Sequence, residues 1–263
     1  MELYYIWLEC IKGLGPNTWH NMICESGSPD KIYQNRSSLV PGGKVTRHHL
    51  EFLHSGAQDA AEEAKKILER CKELAITIIT YDDPKYAVNI KGYPDFPILF
   101  YVKGEIREDW TYGVGIVGAR RCSAKGKECA IQTSLQMSRD GYPIISVMAK
   151  GIDSYAHTAA INNDGYTVAV LGHGLDLCYP VEHKGLMGKI VEKGLVISEY
   201  PPGTLPCRFN FPRRNRIIAG LSDILYVIDA GKKSGTRTTI QAAKRYGKII
   251  REIDKDALFQ NYL

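Results

Sequence analysis

Residues 113–126 read GVGIVGARRCSAKG, an apolar run that ends in a glycine and leads into two arginines, a serine and a lysine. The run is short and rich in Val and Ile, which is typical of a buried β-strand. Residues 124–139 then show the spacing of an amphipathic helix. The stretch therefore predicts one strand–loop–helix unit of an α/β protein.

The same alternation continues through the rest of the chain. Short apolar runs alternate with helix-like segments, which indicates βαβ units and a buried parallel sheet. We therefore predict an α/β fold with a Rossmann-like, doubly wound and mostly parallel sheet. The predicted strands are 114–117, 143–147, 167–171, 195–197, 224–228 and 249–250, and the predicted helices are 124–139, 153–163, 183–193 and 236–246.

The first 74 residues have a different pattern. Short helix-like segments flank a tight turn at 13–16 (GLGP), and residues 57–74 predict a longer amphipathic helix. We predict a small helical N-terminal domain at residues 1–74, of the helix-hairpin-helix or SAM-like type. The remainder, residues 75–263, is predicted to be an extended Rossmann-like domain, to which 75–112 adds strands.

Composition excludes several classes of protein. Of 263 residues, 44% are hydrophobic and 24% charged, a balance typical of globular proteins and not of disordered chains. No basic segment leads into an apolar one after Met1, and no run approaches the ~20 apolar residues of a membrane span. The seven cysteines never form a CxxC pair, so we expect reduced thiols and no metal site. We expect a soluble cytoplasmic protein without membrane association or cofactor.

Charge is distributed unevenly along the chain. Residues 1–112 contain 13 Lys and Arg and 16 Asp and Glu, whereas residues 113–251 contain 20 and 10, a net charge of +10. The basic excess is densest at 205–251, where eleven cationic residues accompany two aspartates. A basic excess confined to one region indicates an anionic partner. Charge alone does not distinguish DNA, RNA, a nucleotide or an acidic protein.

The loop after the first predicted strand combines four features of an anion site. Gly118 allows close approach of the backbone, Arg120 and Arg121 supply charge, and Ser123 can cap the following helix. Open α/β sheets bind ligands at the carboxyl ends of their strands, where this loop lies. We therefore predict that these residues contact a phosphate.

The loop after the second predicted strand carries another cation. Ser146, Lys150 and Gly151 are candidate phosphate contacts. Asp153 and His157 follow, four residues apart on one face of a predicted helix, so they could pair with each other or with the backbone. Catalysis by such a pair requires a nucleophile that the sequence does not identify, and their role stays open.

The most unusual stretch is 209–216, FNFPRRNR. Arginines interleaved with aromatic side chains suit phosphate binding and base stacking on single-stranded nucleic acid. The candidate residues are Phe211, Arg213, Arg214, Asn215 and Arg216. Substitution of Arg120, Arg214 or Arg216 by Ala is expected to weaken binding alike for all nucleotide sequences.

A last candidate site follows the strand at 224–228. Ser234, Gly235, Thr236 and Thr239 precede or open a predicted helix, where hydroxyl and backbone N–H groups form a phosphate nest. The stretch lacks the spacing and the Gly-Lys pair of a P-loop, so ATP hydrolysis is not implied.

Taken in order, these segments resemble the DNA-processing protein A family (DprA, also called Smf). The segments that carry the resemblance are VGARRCSAKG at 117–126, SVMAKGIDSYAH at 146–157, AVLGHGLDLCYP at 169–180, ISEYPPG at 197–203, FPRRNRIIAGLS at 211–222 and SGTRTT at 234–239. Weaker similarity includes WLECIKGLGP at 7–16 and DDPKY at 82–86.

The resemblance implies a non-enzymatic protein. Family members bind single-stranded DNA, protect it, and help to load RecA recombinase on it during natural transformation; a homodimer is also implied. Arg120, Arg213, Asn215 and Arg216 match the family's motif positions. Lys150 stands where the family usually has arginine, which keeps the charge but loses the bidentate geometry of a guanidinium.

Two other functions remain open. Nucleoside-monophosphate phosphoribohydrolases share the expected fold, but their PGGxGTxxE signature is absent, and 41–46 (PGGKVT) has neither the Gly-Thr pair nor the glutamate. A Rossmann-like nucleotide-binding sensor would also explain the basic region. Residues 113–118 satisfy GxGxxG, but these glycines lie within the predicted strand instead of after it, so we do not predict a dinucleotide site.

Overall fold

The computed structural model describes residues 1–86, 90–231 and 235–253. These fall into two compact units: residues 1–86 with 91–101, and residue 90 with 102–231 and 235–253. The predicted boundary between residues 74 and 75 stays a prediction. Within the described ranges, no helix is long and apolar enough to cross a membrane.

The first unit is mainly helical. Its helices are α1 (Glu2–Cys10), α2 (Pro16–Ser26), α3 (Pro29–Asn35) and α4 (Arg47–Glu73), and its strands are β1 (Thr77–Thr80) and the first part of β2 (Leu99–Gly104). Trp7 and Leu53 are among its buried core residues. The indole N–H of Trp7 donates to the carbonyl of Ala57 over 3.0 Å, which ties α1 to α4.

Helix α4 begins ten residues before the predicted start at residue 57, so that prediction was too short. Thr46 caps the helix, since its hydroxyl accepts from the N–H of His49 over 3.3 Å. His49 reciprocates, because its Nδ1 accepts from the N–H of Thr46 over 3.2 Å. The start escaped prediction because histidine takes the place of the usual Glu or Gln in this capping box.

The second unit contains the parallel sheet. Its strand order is β2-β6-β5-β4-β3-β7-β8, and all neighbouring strands from β6 to β8 are parallel. The strands are β3 (Gly113–Gly118), β4 (Ile144–Ser146), β5 (Thr167–Leu171), β6 (Leu195–Ser198), β7 (Ser222–Ile228) and β8 (Ile249–Ile253). The helices are α5 (Ala124–Arg139), α6 (Ile152–Asn162), α7 (Lys184–Lys193), α8 (Asn210–Leu221) and α9 (Thr236–Arg245). The predicted α/β, mostly parallel fold is confirmed.

The core of the second unit lies between the sheet and its helices. A cluster of buried side chains joins β3, β4 and β7 to α5 and α6; it includes Val114, Ile116, Ile144, Ile152 and Ile228, which are all fully or almost fully buried. Apolar strands buried in this way hold the carboxyl ends of β3, β4 and β7 in fixed positions.

Helix α8 was not predicted. Its sequence, NFPRRNRIIAGL, has a proline and three arginines among its first seven residues, whereas most of its apolar residues are in the second half. Pro212 is compatible with the helix because it lies in the first turn, where no intrahelical bond needs its missing N–H. Ile217, Ile218 and Leu221 are buried. The helix therefore places the arginine cluster at the carboxyl edge of the sheet.

Candidate nucleic-acid interface

The site lies where the chain reverses its direction of growth across the sheet. Strands β4, β5 and β6 extend from one side of β3, whereas β7 and β8 extend from the other. Loops leaving β3 and β7 therefore diverge, and such a switch point is where open α/β sheets bind ligands. Two cavities open at this edge, with volumes of about 630 and 110 Å³.

We call the larger cavity the large cleft and the smaller one the small pocket. Both are lined by Arg120, Ala149, Tyr179, Phe211 and Arg214. The large cleft also includes Val117, Gly118, Ala119, Val147, Asp153, Arg208, Pro212, Asn215, Gly235, Thr236 and Thr239. The small pocket also includes Met148, Lys150, Leu171, Gly172, His173 and Pro180.

The loop from β3 to α5 places Arg120 at both cavities. Gly118 is required by packing, since a Cβ there would lie 2.1 Å from the carbonyl oxygen of Ile228. Arg120 is exposed, and within the described residues no hydrogen bond or ion pair engages its guanidinium. Arg121 is exposed but lines neither cavity. Arg120 therefore offers an available cation at the mouth of the site.

The N-terminus of α5 already holds an anion of the protein itself. The hydroxyl of Ser123 accepts from the N–H of Gly126 over 3.0 Å, which is the predicted cap. The N–H of Ser123 donates to Oδ2 of Asp229 over 2.6 Å. This carboxylate therefore lies at the helix start, where the helix dipole favours a negative charge. Ser123 lines neither cavity, and its contacts are within the fold.

The loop from β4 to α6 braces the first loop and presents Lys150. Gly151 has φ +83°, and a Cβ there would lie 2.3 Å from the carbonyl oxygen of Ala119. Close contact between the two loops therefore requires glycine at this position. Lys150 lines the small pocket and forms an exposed ion pair with Glu182.

Asp153 is a buried carboxyl group at the large cleft. Only 3% of the residue is exposed, and the hydroxyl of Ser146 lies 2.9 Å from its Oδ1 and 2.5 Å from the carbonyl of Ile116. Burial raises the pKa of Asp153 to about 7, an effect that Ser146 and the charge of Arg214 partly oppose. Ser146 itself is buried and lines neither cavity.

His157 does not pair with Asp153. Its ring nitrogens lie 2.7 Å from the hydroxyl of Thr167 and 3.2 Å from the carbonyl of Val147. Burial lowers the pKa of His157 to about 4, so the ring is neutral at physiological pH. Its contacts join α6 to β4 and β5, which is a structural role.

The arginines of the predicted cluster occupy different environments on helix α8. Arg214 is 6% exposed, and its Nη1 donates to the carbonyl of Val170 at the end of β5. Burial lowers its pKa to about 10, so the guanidinium stays charged at neutral pH beneath both cavities. Arg213 is exposed and lines neither cavity.

Arg216 lines neither cavity. Its Nη1 and Nη2 donate to the two carboxylate oxygens of Glu199 over 2.8 and 2.7 Å, and Nη1 also donates to the carbonyl of Arg213 over 2.8 Å. The side chains of Arg216 and Glu199 are 10% and 5% exposed. The guanidinium of Arg216 therefore supports α8, and its predicted contact with DNA stays a prediction.

Two stacked rings form the aromatic part of the site. The rings of Tyr179 and Phe211 lie 5.6 Å apart at an angle of 22° and line both cavities. The guanidinium carbon of Arg214 lies 6.0 Å from the centre of the Phe211 ring. The combination of stacked rings and a cation suits a planar, electron-rich group such as a nucleobase.

The start of α9 closes the other side of the large cleft. Gly235, Thr236 and Thr239 line it, and the amide of Asn215 ties the turn to α8 by donating to the carbonyl of Gly235 over 3.2 Å and to the hydroxyl of Thr238 over 2.8 Å. Ser234, also predicted to contact the ligand, lies outside the described residues.

The structure thus brings together part of the predicted set. The predicted residues that line a cavity are Gly118, Arg120, Lys150, Phe211, Arg214, Asn215, Gly235, Thr236 and Thr239. Those that line neither are Arg121, Ser123, Ser146, Gly151, Arg213 and Arg216. Whether each contacts a ligand stays a prediction.

Tyr179, Arg208 and His173 are three of the lining residues that were not among the predicted contacts. Tyr179 follows β5, and its position after a strand end was the available signal. Arg208 stands beside an aromatic residue just before the arginine cluster, which was a further signal. His173 is 1% exposed, and burial lowers its pKa, so it contributes a neutral ring to the small pocket. Nothing in the sequence separated it from a structural histidine.

The chain is similar to several known proteins, including the following three. Protein Smf of Synechocystis sp. is 39% identical over 267 residues, covering 95% of this chain and 63% of that protein. The X-ray structure of DNA processing protein A from Streptococcus pneumoniae matches with a TM-score of 0.81 and 30% identity, covering 98% of this chain and 88% of the other. DNA processing protein A from Helicobacter pylori, whose structure concerns its single-stranded DNA binding mode, matches with a TM-score of 0.62 and 25% identity, covering 70% and 86%.

The chain spans only part of the length of the curated relatives that it matches. It spans 63% of the length of the Synechocystis protein and 59% of the curated pneumococcal DprA. A model of the DNA recombination-mediator protein A family matches residues 77–261, which include every predicted contact residue. Since this match covers far more than half of its length, the chain belongs to the DNA recombination-mediator protein A family.

Proposed function

We propose that this protein binds single-stranded DNA in the large cleft and the small pocket. The observation that carries the proposal is the meeting of Arg120 and Arg214 with the stacked rings of Tyr179 and Phe211 at the switch point of the sheet. Cations neutralise phosphates, and rings stack on bases that are not paired. The ssDNA-binding relative from Helicobacter pylori supports the same assignment.

Single strands fit this site better than duplex DNA for a physical reason. The rings of Tyr179 and Phe211 can stack only on a base whose face is accessible, and a duplex covers both faces of every internal base. Phosphate contacts alone would not distinguish the two forms. The aromatic pair is therefore expected to provide the preference, and the cations most of the affinity.

The test is fluorescence anisotropy of a labelled single strand of about 20 nucleotides, competed with duplex and with a nucleoside monophosphate at several salt concentrations. The logarithm of the binding constant should fall with the logarithm of salt with a slope near −0.7 per neutralised phosphate. Absence of binding at low salt would contradict the proposal. Tight binding of the mononucleotide alone would favour a nucleotide sensor.

We propose further that the protein delivers its DNA to a RecA-type recombinase in the cytoplasm during natural transformation. The description of the family as recombination mediators supports this role. The measurement is the rate of recombinase loading on single strands coated with single-stranded DNA-binding protein. Wild-type protein should accelerate loading and Arg120→Ala should not. If both variants accelerate it equally, the DNA-bound cleft is not involved.

We propose that the protein acts by binding and not by catalysis. In the large cleft, the carboxyl group of Asp153 is only 3% exposed, and its Oδ1 lies 2.9 Å from the hydroxyl of Ser146. Incubation with labelled oligonucleotide, and with AMP, should leave both compounds intact when analysed by chromatography. Release of a free base from AMP would instead support the phosphoribohydrolase alternative.

We also propose a homodimer, which the family resemblance implies. Strand β8 is last in the strand order, and Ile249 on it is 51% exposed. A strand at the end of a sheet is available for pairing with a second chain. Sedimentation equilibrium should show a dimer that Ile249→Glu dissociates. A wild-type protein that is monomeric at all concentrations would contradict this proposal.

A further inference from the structure

The segment between β6 and α8 displays large apolar side chains to solvent. We call residues 205–209 the rim. Leu205 is 72% exposed and Phe209 is 73% exposed. Single exposed apolar residues are common on protein surfaces, so this exposure has no meaning by itself. Two further observations indicate a function: hydrogen bonds anchor the rim, and one of its residues, Arg208, also lines the large cleft.

Hydrogen bonds hold the rim and the residues before it. The N–H of Gly203 donates to both carboxylate oxygens of Asp176 over 2.9 and 3.1 Å, and the N–H of Gly174 donates to the carbonyl of Thr204 over 2.9 Å. At the other end, the N–H of Asn210 donates to the carbonyl of Cys207 over 3.0 Å. Ordering of this segment upon binding therefore costs little entropy.

Arg208 connects the rim to the large cleft. Its side chain lines the cleft, and its guanidinium carbon lies 5.3 Å from the centre of the Phe209 ring. A guanidinium can stack on a ring with its plane and bind a phosphate with its edge. The pair is therefore built for a ligand that combines a flat apolar group and an anion.

Phe209 serves a different place from Phe211. Two residues along the start of a helix differ in direction by roughly 200°. Phe211 accordingly stacks with Tyr179 at the cavities, whereas Phe209 lines neither of them. A base in contact with Phe209 must belong to a nucleotide other than the one beside Phe211.

We propose that Arg208 and Phe209 form a second nucleotide position outside the large cleft. Phe209 stacks on the base of a neighbouring nucleotide, and Arg208 binds the phosphate that links it to the nucleotide in the cleft. This inference rests on the proposed binding of single-stranded DNA. The occupant is nucleic acid and not a protein, because the exposed ring is paired with a cation that continues the basic lining of the cleft.

The test compares oligothymidylates of two to twelve nucleotides with wild-type protein and Phe209→Ala. For the shortest oligonucleotide that fills the cleft, the two proteins should bind equally. For longer ones, the variant should bind about 5- to 100-fold more weakly, which is the usual effect of losing one stacked base. Phe209→Trp should restore the affinity. Arg208→Ala should reduce the steepness of the salt dependence by about 0.7.

Two further variants, Phe209→Leu and Leu205→Ala, distinguish base stacking from the docking of a protein. Phe209→Leu keeps the apolar surface but loses the ring, so it should behave like Phe209→Ala, whereas Leu205→Ala should leave DNA affinity unchanged. An oligonucleotide carrying 5-iodouracil should crosslink to the peptide that contains Phe209 in the wild-type protein. Both residues are exposed, so equal thermal midpoints of all variants confirm that the fold is intact.

Three results are distinguishable. If the wild-type protein binds no oligonucleotide, the proposed function fails. If it binds but Phe209→Ala matches it at every length, only the second nucleotide position is overturned. If Phe209→Ala and Leu205→Ala keep full DNA affinity but lose recombinase loading, the rim binds protein, and this inference is overturned as well.

Discussion

Arg216 and Glu199 form a bidentate ion pair that is almost completely buried beside α8, with N–O distances of 2.8 and 2.7 Å. The pair fixes the helix that carries Phe211 and Arg214, although neither of its members lines a cavity. An arginine of the predicted DNA-contact cluster thus works inside the fold. Measurements of stability and of DNA binding can distinguish a role of Arg216 in the fold from a contact with DNA.

Arg216→Ala should destabilise the protein by about 3–5 kcal/mol, because it leaves the carboxylate of Glu199 buried without a partner. Urea denaturation measures this loss. The double variant Arg216→Met with Glu199→Leu should recover much of the stability, since replacement of both charges removes the unpaired group. A folded Arg216→Ala protein with wild-type stability and lost DNA affinity would instead show that Arg216 contacts the DNA.

Glu182→Gln should increase the affinity for single strands. Lys150 and Glu182 form an exposed ion pair, and Lys150 holds the pKa of Glu182 below its usual value. A phosphate that reaches Lys150 must displace this carboxylate. Exposed pairs are worth little, so the expected gain is about 2- to 5-fold at low salt. Competition anisotropy measures this gain, and Glu192→Gln, on α7, is the control. If Glu182→Gln binds single strands as tightly as the wild type or more weakly, DNA does not displace Glu182 from Lys150.

Asp153 and His157 should give opposite pH dependences of stability. Asp153 has a pKa of about 7 in the folded protein against 3.8 when unperturbed, so the folded state binds more protons and stability falls as pH rises between these values. His157 has a pKa of about 4 against 6.5, so the unfolded state binds more protons and stability rises over that range.

The two effects largely cancel between pH 4 and 6.5 in the wild-type protein. Asp153→Asn removes one of them, so this variant should gain about 3 kcal/mol in unfolding free energy as pH rises from 4 to 6.5. Urea titrations at four pH values measure the difference. If wild type and Asp153→Asn follow the same pH course, burial does not perturb Asp153 in this way.

Phe211→Leu should weaken binding of single strands about 5- to 100-fold, because the ring that stacks with Tyr179 is lost while apolar volume is kept. The affinity for duplex should change little, so the preference for single strands should fall. Tyr142→Leu is a matched control, since Tyr142 is 43% exposed and lines neither cavity. An equal loss for single strands and duplex would argue against base stacking.

The fold was largely predictable because its strands are short apolar runs with clear breaks. Helix 124–139 was predicted with the bounds that the structure gives it. Its start was predictable because the capping residue Ser123 and its partner Gly126 are only three positions apart in the sequence. Helix α8 was missed because its start carries Pro212 and arginines. Most of its apolar residues lie in its second half, so the sequence shows no helical period over its whole length.

The site was predictable only where local sequence decides it. Arg120 and Phe211 follow strand ends or begin a helix at the right edge, and both line the cavities. Asp229 lies 106 residues after Ser123, and Glu199 lies 17 residues before Arg216. No local pattern shows such partners, so the sequence could not separate an arginine or serine used by the fold from one directed at a ligand.

The central claim is that the cavities at the switch point bind the DNA backbone, and Arg120→Ala tests it most directly. Arg120 is exposed and lines both cavities, whereas Arg139, exposed in the last turn of α5, lines neither and serves as the matched control. Anisotropy titrations at several salt concentrations should show that Arg120→Ala binds single strands more weakly, with a salt slope smaller by about 0.7. Arg139→Ala should match the wild type. If both variants bind with the wild-type affinity and salt slope, the DNA does not lie at these cavities.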